Sequence, residues 1–476
     1  MRDPPRLRVR DVDFFERHVH LRLPFRFGVA TLTEARQAFV RVRIALADGR
    51  EGEGQAAELL APKWFDKDPN LTNEENFDQL RTALAVARGL YLSADLPVPA
   101  FALHAAREAE QYAECGRRGL NGLIAGFGTA LLDRAVLDAL CRILGVSVFD
   151  AVRRNVPGID GATAPDLADF RLDRFLEGLR PAQNIDVRHT VGLVDAITEA
   201  EISTADRVGD GLPESLEAVI EAYGHRFFKL KVGGDLAADI DRLSRIAAVL
   251  GRIPGPYFAS LDGNEQYPDA ESVLALMQRI VEAPALERLA RAVLYIEQPI
   301  ARATALSRPI HELATIRPVA VDESDSDIGI FPRAKALGYV GISSKSCKGF
   351  YRSLLNRARV AQWNDAAPGS PYFMIAEDLT TQAGIAVQQD LALATLIGCG
   401  HVERNGHHYV DGMAGAPEAE QLRFLTAHPD LYHRANGRVR LAIRDGKLAI
   451  GSLAAPGLGA GAQPDWNAMR RAEYGG

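Results

Sequence analysis

Five apolar segments of this chain each end in charged or polar residues, in the order Lys-x-Lys, Asp, Glu, Asp, Lys. In FFKLKVGG, Phe228, Leu230 and Val232 share one face of an extended chain, and Lys229 and Lys231 share the other. The same alternation sets Ala259 and Leu261 against Ser260, Asp262 and Asn264, and Ile296 against Glu297. Further along it sets Val319 and Val321 against Asp322, and Ile342 against Lys345. Three carboxylates brought together cannot all stay ionised without compensation. A hard divalent cation supplies it, Mg²⁺ first and Mn²⁺ next, because the donors are all oxygen. Lysines would then flank the cation from two sides. That set suits removal of a carbon-bound proton next to a carboxylate, where a second negative charge develops on the carboxylate oxygens and a cation stabilises the enediolate. A lysine acts as base only when its pKa is pulled towards neutrality, and a second lysine, the cation and burial all push that way.

Such a set needs elements that bring five segments to one place. From about residue 186 to 412, short apolar strands alternate with helical stretches: DVRHTVGLV, FFKLKVGG, YFASLDGN, VLYIEQP, PVAVDES, YVGISSK, YFMIAED and HVERNGHHYV, with helical patterns at 237–250, 270–284 and 382–397 among them. Eight strands in this rhythm predict an α/β fold with a (β/α) barrel, TIM-like but modified. Charges at the C-terminal ends of its strands then lie where barrel active sites are built. A doubly wound sheet is the rival. It would show a Gly-rich loop after its first strand, and PGLGAGA at 456–462 neither follows a βαβ strand nor opens a clear helix. Before the barrel the chain reads as strands, then helices. Residues 38–46 alternate and end at the turn dipeptide Asp48-Gly49, GREGEGQAAEL follows as a third strand, 74–115 reads as helical, and 124–143 is a strong amphipathic helix. The expected division is an α+β capping domain at 1–155, the barrel at 156–425, and a C-terminal segment at 426–476 that returns to the cap.

With those motifs in order, the sequence resembles the enolase superfamily, within it the muconate-lactonizing-enzyme-like subgroup of the mandelate racemase/muconate lactonizing enzyme family. The matching residues are Lys229-Leu230-Lys231, Asp262-Gly263-Asn264, Glu297-Gln298-Pro299, Asp322-Glu323-Ser324 and Lys345 in ISSKSCKG. The resemblance implies Asp262, Glu297 and Asp322 as metal ligands and Lys231 and Lys345 as an opposed acid/base pair. Lys229 would neutralise the substrate carboxylate and help lower the pKa of Lys231. It also implies a small carboxylate substrate, a homo-oligomer, and a cap closing the pocket through loops near Arg26–Thr31 and Pro62–Phe65. Asn264, Arg26, Trp64, Glu377, Asp378, Asn405 and His407 are the expected substrate-facing residues. Two sister patterns are absent. YFMIAEDLTTQAG lacks the His base of the mandelate-racemase-like subgroup, and HVERNGHHYVDGM lacks the Asp-x-Asp that holds a dipeptide's ammonium.

Bland readings compete for each residue singly. Paired lysines are commonly the solvated face of an edge strand, Asp-Gly is a turn dipeptide, and Asp322 and Glu323 could cap the next segment. Asp322 is preferred to Glu323 by alternation. Lys345 is preferred to Lys348, which sits an odd three positions away and should face differently. Cys347 reads as packing. The His-rich run from His401 to His408 reads as loop or pocket lining in preference to a transition-metal site. Within the carboxylate reading, racemisation or epimerisation uses both lysines most directly. A dehydratase (β-elimination) or a cycloisomerase would use the same residues, and a catalytically silent metal-binding homologue is the alternative of another class.

Composition bounds these readings. Lys plus Arg total 55 against 62 Asp plus Glu in 476 residues, a net charge of -7, which gives no footprint for nucleic acid or an anionic membrane. Four scattered cysteines argue against a disulfide framework and for a reducing compartment, so a cytoplasmic location is expected. The N-terminus lacks the apolar core of a signal peptide, and no run reaches the roughly 18 uncharged residues of a membrane span.

Overall fold

The computed structural model describes residues 3–27, 30–369 and 371–475. The cap opens with a long hairpin, β1 (Leu7–Phe27) and β2 (Ala30–Leu46), followed by β3 (Glu51–Leu60). All pair antiparallel, and β1 and β2 register from Leu7 opposite Leu46 to Phe27 opposite Ala30. The Asp48-Gly49 turn forms as expected, with Gly49 at φ 91° and the Leu46 amide donating to the Arg50 carbonyl at 2.8 Å. The expected helical stretch at 74–115 is two helices, α1 (Asn73–Leu92) and α2 (Ala100–Arg117). Pro97 and Pro99 break it, since proline lacks the N–H and pushes its predecessor out of the helical region. Thr72 and Glu75 form a reciprocal capping box on α1.

The third helix, α3 (Gly122–Leu144), is buried along nearly all its length. It lies against β3 so closely that a Cβ on Gly54 would stand 2.2 Å from both the Ala135 carbonyl oxygen and the Ala139 nitrogen. Glycine at 54 is therefore what allows the cap sheet to seat on α3. The strand Arg470–Ala472 adds to the free edge of β1, with Phe14 opposite Ala472, so the end of the described chain joins the cap's sheet.

Eight parallel strands follow: β4 (Asn184–Val191), β5 (Phe227–Lys231), β6 (Phe258–Asp262), β7 (Val293–Glu297), β8 (Val319–Val321), β9 (Gly341–Ser344), β10 (Phe373–Ala376) and β11 (His401–Arg404). Each pairs with the next, and β11 pairs back on β4 with Arg404 opposite His189, which closes the barrel. The fold is thus a (β/α) barrel with an N-terminal sheet-and-helix cap. Apolar residues fill the space between strands and helices, whereas the barrel floor is a small cluster of Tyr295, Ala320 and Ile375. The additional helix Glu287–Ala292 accounts for the extra length between β6 and β7. The long connection after β4 is tied to the cap by Arg22, whose guanidinium meets Asp210 at 2.5 and 2.9 Å and the His408 carbonyl at 2.8 Å. No helix among the described residues is long and apolar enough to cross a membrane.

Candidate active site

Strand pairing sets the charges side by side. Lys231 stands opposite Asp262, and Asp262 opposite Glu297, at the C-terminal ends of β5, β6 and β7. Lys345 follows β9 directly. In a closed ring of eight, β5 and β9 lie four strands apart and so face each other across the barrel. The strands carrying Asp262, Glu297 and Asp322 lie between them.

The side chains converge. Lys231 Nζ donates to Asp262 Oδ2 at 2.5 Å, and Lys345 Nζ donates to Asp322 Oδ2 at 2.5 Å. Lys229 Nζ lies 2.9 Å from Asp262 Oδ2, 2.9 Å from Glu297 Oε1 and 3.1 Å from Glu403 Oε2, and also bonds Glu377. Gln298 braces the next strand: its Oε1 accepts from the Asp322 and Ser324 amides at 2.8 and 3.1 Å. Burial, with Asp262 and Glu377 nearby, lifts Glu297 well above the ordinary glutamate range. Burial alone would raise Asp322 too, but Lys345 and Lys348 outweigh it and hold that carboxyl well below the usual range. Burial would lower Lys345, and Asp322 outweighs it, so its ammonium is held above the ordinary lysine range. For Lys345 this differs from the expected downward pull, because Asp322 stands at hydrogen-bond distance.

A cation suits this set. Glu297 Oε2, Glu323 Oε2 and Asn264 Oδ1 are buried acceptors without a hydrogen-bond partner, gathered around the three carboxylates. The donors are all oxygen, as Mg²⁺ or Mn²⁺ requires.

Lys229, Lys231, Asp322 and Lys345 line one cavity of about 30 Å³ with Asn264, Asp378, Glu403 and Asn405. Phe25, Phe27, Leu32 and Trp64 cover it from the cap. The Lys345 ammonium stands 4.9 Å over the Trp64 ring. The loop carrying Trp64 is pinned to the barrel by Arg302, which donates to the Trp64 and Phe65 carbonyls at 2.8 and 3.0 Å and pairs with Glu265.

Three expected substrate-facing residues lie elsewhere. Arg26 is exposed, because alternation along β1 turns Phe25 and Phe27 inwards and Arg26 out. The tip of that loop, residues 28–29, falls outside the described residues. Glu377 is buried beneath the cavity, bonded to Arg188 and Lys229, and does not line it. His407 is buried on the outer wall of the barrel beside His189. Lys348 also departs from expectation: it reaches the same Asp322 at 3.0 Å and the Ser343 hydroxyl at 2.6 Å. The turn Ser346–Lys348 breaks the strand's alternation, so an odd spacing no longer means an opposite face. Cys347 is buried, and burial pushes its thiol well up.

Sequence reasoning missed Phe25, Phe27 and the Arg188–Glu377 pair. The alternation of PFRF signalled the phenylalanines, as did the inward parity of Arg188 and Thr190 for the pair.

A cap of sheet and helices sits over a closed parallel barrel, with lysines on facing strands across a set of carboxylates. The family model for enolase C-terminal domain-like proteins matches residues 211–466. The chain belongs to the enolase superfamily, in its mandelate racemase/muconate lactonizing enzyme group. Among curated relatives, muconate cycloisomerase 1-2 of Acinetobacter lwoffii is 26% identical over 304 residues, 63% of this chain and 60% of the relative. A muconate lactonizing enzyme from Pseudomonas fluorescens, solved with muconolactone, superposes with a TM-score of 0.58 at 16% identity, covering 97% of this chain and 99% of that one. A member of the enolase superfamily from Roseovarius nubinhibens ISM, solved with magnesium, gives 0.56 at 17% identity over 98% of this chain and 99% of that one. At these identities the two structures speak for the fold alone.

Proposed function

We propose that this protein is a divalent-metal-dependent acid/base enzyme that removes and returns the proton alpha to a substrate carboxylate, acting as a racemase or epimerase. The observation that carries this reading is that Lys231 and Lys345, on strands facing each other across the barrel, line one cavity with Asp322 between them and an apolar cap above.

Asp262, Glu297 and Asp322 would hold Mg²⁺, or Mn²⁺ in its place. When bound, that cation neutralises the charge that develops on the substrate's carboxylate. Lys231 Nζ takes the alpha proton on one face and Lys345 Nζ delivers one to the other face, with the roles reversed for the opposite enantiomer. Lys229, fixed by Glu297, Glu377 and Glu403, supplies a permanent positive charge under the substrate carboxylate. Phe25, Phe27, Leu32 and Trp64 exclude water and give the rest of the substrate an apolar wall, while Asp378, Glu403 and Asn405 offer polar contacts on the other side.

A second reading, cycloisomerisation, is favoured by the muconate cycloisomerase relative. A β-elimination would use the same two lysines. One experiment separates them: incubation with Mg²⁺ and a library of chiral carboxylates in heavy water. A racemase incorporates deuterium at the alpha carbon with no net loss of substrate. A dehydratase loses water and yields a keto acid, and a cycloisomerase yields a ring-opened or ring-closed isomer. Absence of exchange and of turnover on every acid, with Mg²⁺ and with Mn²⁺, defeats the proposal and favours a silent homologue.

A further inference from the structure

On the outer wall of the barrel three histidines meet from three places in the chain. His189 lies on β4, His225 just before β5, and His407 in the short helix Gly406–Tyr409 after β11. Arg188 and Thr190 point into the barrel, where they bond Glu377 and Glu403, so His189 between them points out. The cluster is therefore separated from the catalytic cavity by the sheet, and none of its members lines that cavity.

The three rings form a nearly equilateral triangle, with centroids 5.4, 5.3 and 5.3 Å apart. A zinc–imidazole bond of about 2.05 Å puts each ring centroid about 3.2 Å from the ion, and tetrahedral angles then put the centroids about 5.2 Å from one another. One donor from each ring lies within 4.8 Å of the others. His189 Nδ1 and His407 Nε2 are already 3.2 Å apart, close to the tetrahedral nitrogen–nitrogen edge of about 3.3 Å. His225 would have to bring its donor closer than 4.8 Å to complete the set.

The tautomer of His225 also fits. His225 Nδ1 lies 3.2 Å from the Val187 carbonyl, which can only accept, so this nitrogen carries the proton and Nε2 keeps its lone pair. That Nε2 is buried with no hydrogen-bond partner. A backbone carbonyl that fixes a histidine's tautomer in this way is a regular companion of metal ligation. Burial first, then the neighbouring rings, lowers His189 and His407 well below the usual histidine range, and burial takes His225 to about 4, so all three are neutral near pH 7. A cavity of about 230 Å³, lined by His407 and Tyr223, reaches the edge of the cluster from outside.

We propose that His189, His225 and His407 form a second metal site, for a borderline divalent transition ion with Zn²⁺ preferred, which ties the first and last strands of the barrel where the ring closes. The Mg²⁺ reading of the carboxylate site does not enter this proposal, and either can fail alone.

The probe is Co²⁺, which absorbs strongly in the visible only in a tetrahedral nitrogen-rich site, followed by Zn²⁺ competition. Titrations use the full chain with millimolar Mg²⁺ present to occupy oxygen sites. A His18→Ala/His20→Ala background removes the exposed His18–His20–Glu34 group, which could also collect metal. The expected result is one equivalent of tetrahedral Co²⁺ per chain, displaced by Zn²⁺, with at least tenfold weaker binding in both His225→Ala and His407→Gln. Zinc should also raise the melting temperature of the parent chain and not of the variants. Zinc-edge X-ray absorption on the parent needs no variant and should show a nitrogen shell at about 2.0 Å that fits three imidazoles. No stoichiometric Co²⁺ binding, binding unchanged in both variants, or an oxygen-only zinc shell overturns the proposal.

Discussion

Lys345 and Lys348 both reach Asp322, yet they should fail in opposite ways when removed. Lys345 lines the cavity and Lys348 does not. In Lys345→Met, Asp322 keeps Lys348 at 3.0 Å and the Ser343 hydroxyl, so no buried charge is stranded. The fold should lose about 1 kcal/mol. Catalysis should suffer far more. Loss of a positioned acid/base group costs roughly 10²–10⁴ in rate, about 3–5 kcal/mol of barrier. Lys348→Met is the reverse case. It removes the 2.7 Å bond to the Asp322 carbonyl, the 2.6 Å bond to Ser343 and the 3.4 Å partner of Asp325, all buried. Breaking a buried pair by removing one partner costs about 3–5 kcal/mol of stability. Molecules that remain folded should still exchange the alpha proton at close to the parental rate. The assay pairs urea unfolding with deuterium exchange on each enantiomer of a turned-over acid. In Lys345→Met, exchange should persist on the enantiomer whose proton faces Lys231 and vanish on the other. A fully active Lys345→Met beside a folded but inert Lys348→Met would refute the assignment.

Three further outcomes are expected. Gly54→Ala should lower stability by about 3 kcal/mol or more in urea unfolding, because its Cβ meets two backbone atoms of α3 that cannot give way, whereas Gly89→Ala, with nothing within 4 Å, should stabilise by about 0.5–1 kcal/mol. His428 is fully buried, accepts from the Gly461 amide at 2.8 Å, and is lowered by burial to about 4. A histidine depressed in the fold contributes stability present above its unfolded pKa of about 6.5 and lost as pH falls through about 4, so His428→Gln should remove about 2.5 kcal/mol of the stability lost between pH 7 and pH 4.5. Arg302→Ala should free the Trp64 loop and raise KM for the carboxylate several-fold with a smaller change in kcat, read by steady-state kinetics; equal loss in both would place Arg302 closer to the chemistry.

The ring of lysines and carboxylates was legible because a strand has a period of two and a barrel has one inside. Alternation assigned Lys229, Lys231, Asp262, Glu297 and Asp322 to the interior without any knowledge of neighbours. It failed where the chain leaves the strand. Lys348 lies in the 3-10 turn Ser346–Lys348 and His407 in the short helix Gly406–Tyr409, so parity counted from the strand no longer holds. Arg26 is a different kind of miss. Phe25 and Phe27 on either side of it already mark the inward face. The pairing of Arg188 with Glu377 was only half legible: parity put Arg188 inside the barrel but not beside Glu377. Arg188 sits on β4, far away in sequence from β10, and only closure of the ring brings the two strands' inner faces together.

The net charge of -7 is a sum over the whole chain and does not describe the pocket. Inside, Lys229 alone faces Asp262, Glu297, Glu377 and Glu403, more carboxylates than the three expected from the motifs. Lys229 is consequently raised well above the ordinary range, since those four charges outweigh burial, and it cannot serve as a base. Lys231 and Lys345 each face one carboxylate at hydrogen-bond distance, and both carboxylates belong to the set suited to a cation. A dication on that set would compete with each lysine for its carboxylate, and loss of that partner is what lowers a buried lysine towards neutrality. The same carboxylates therefore decide both where a cation would sit and which of the three lysines can give up a proton. That division separates Lys229, a fixed charge, from the two lysines at the ends of the barrel's diameter.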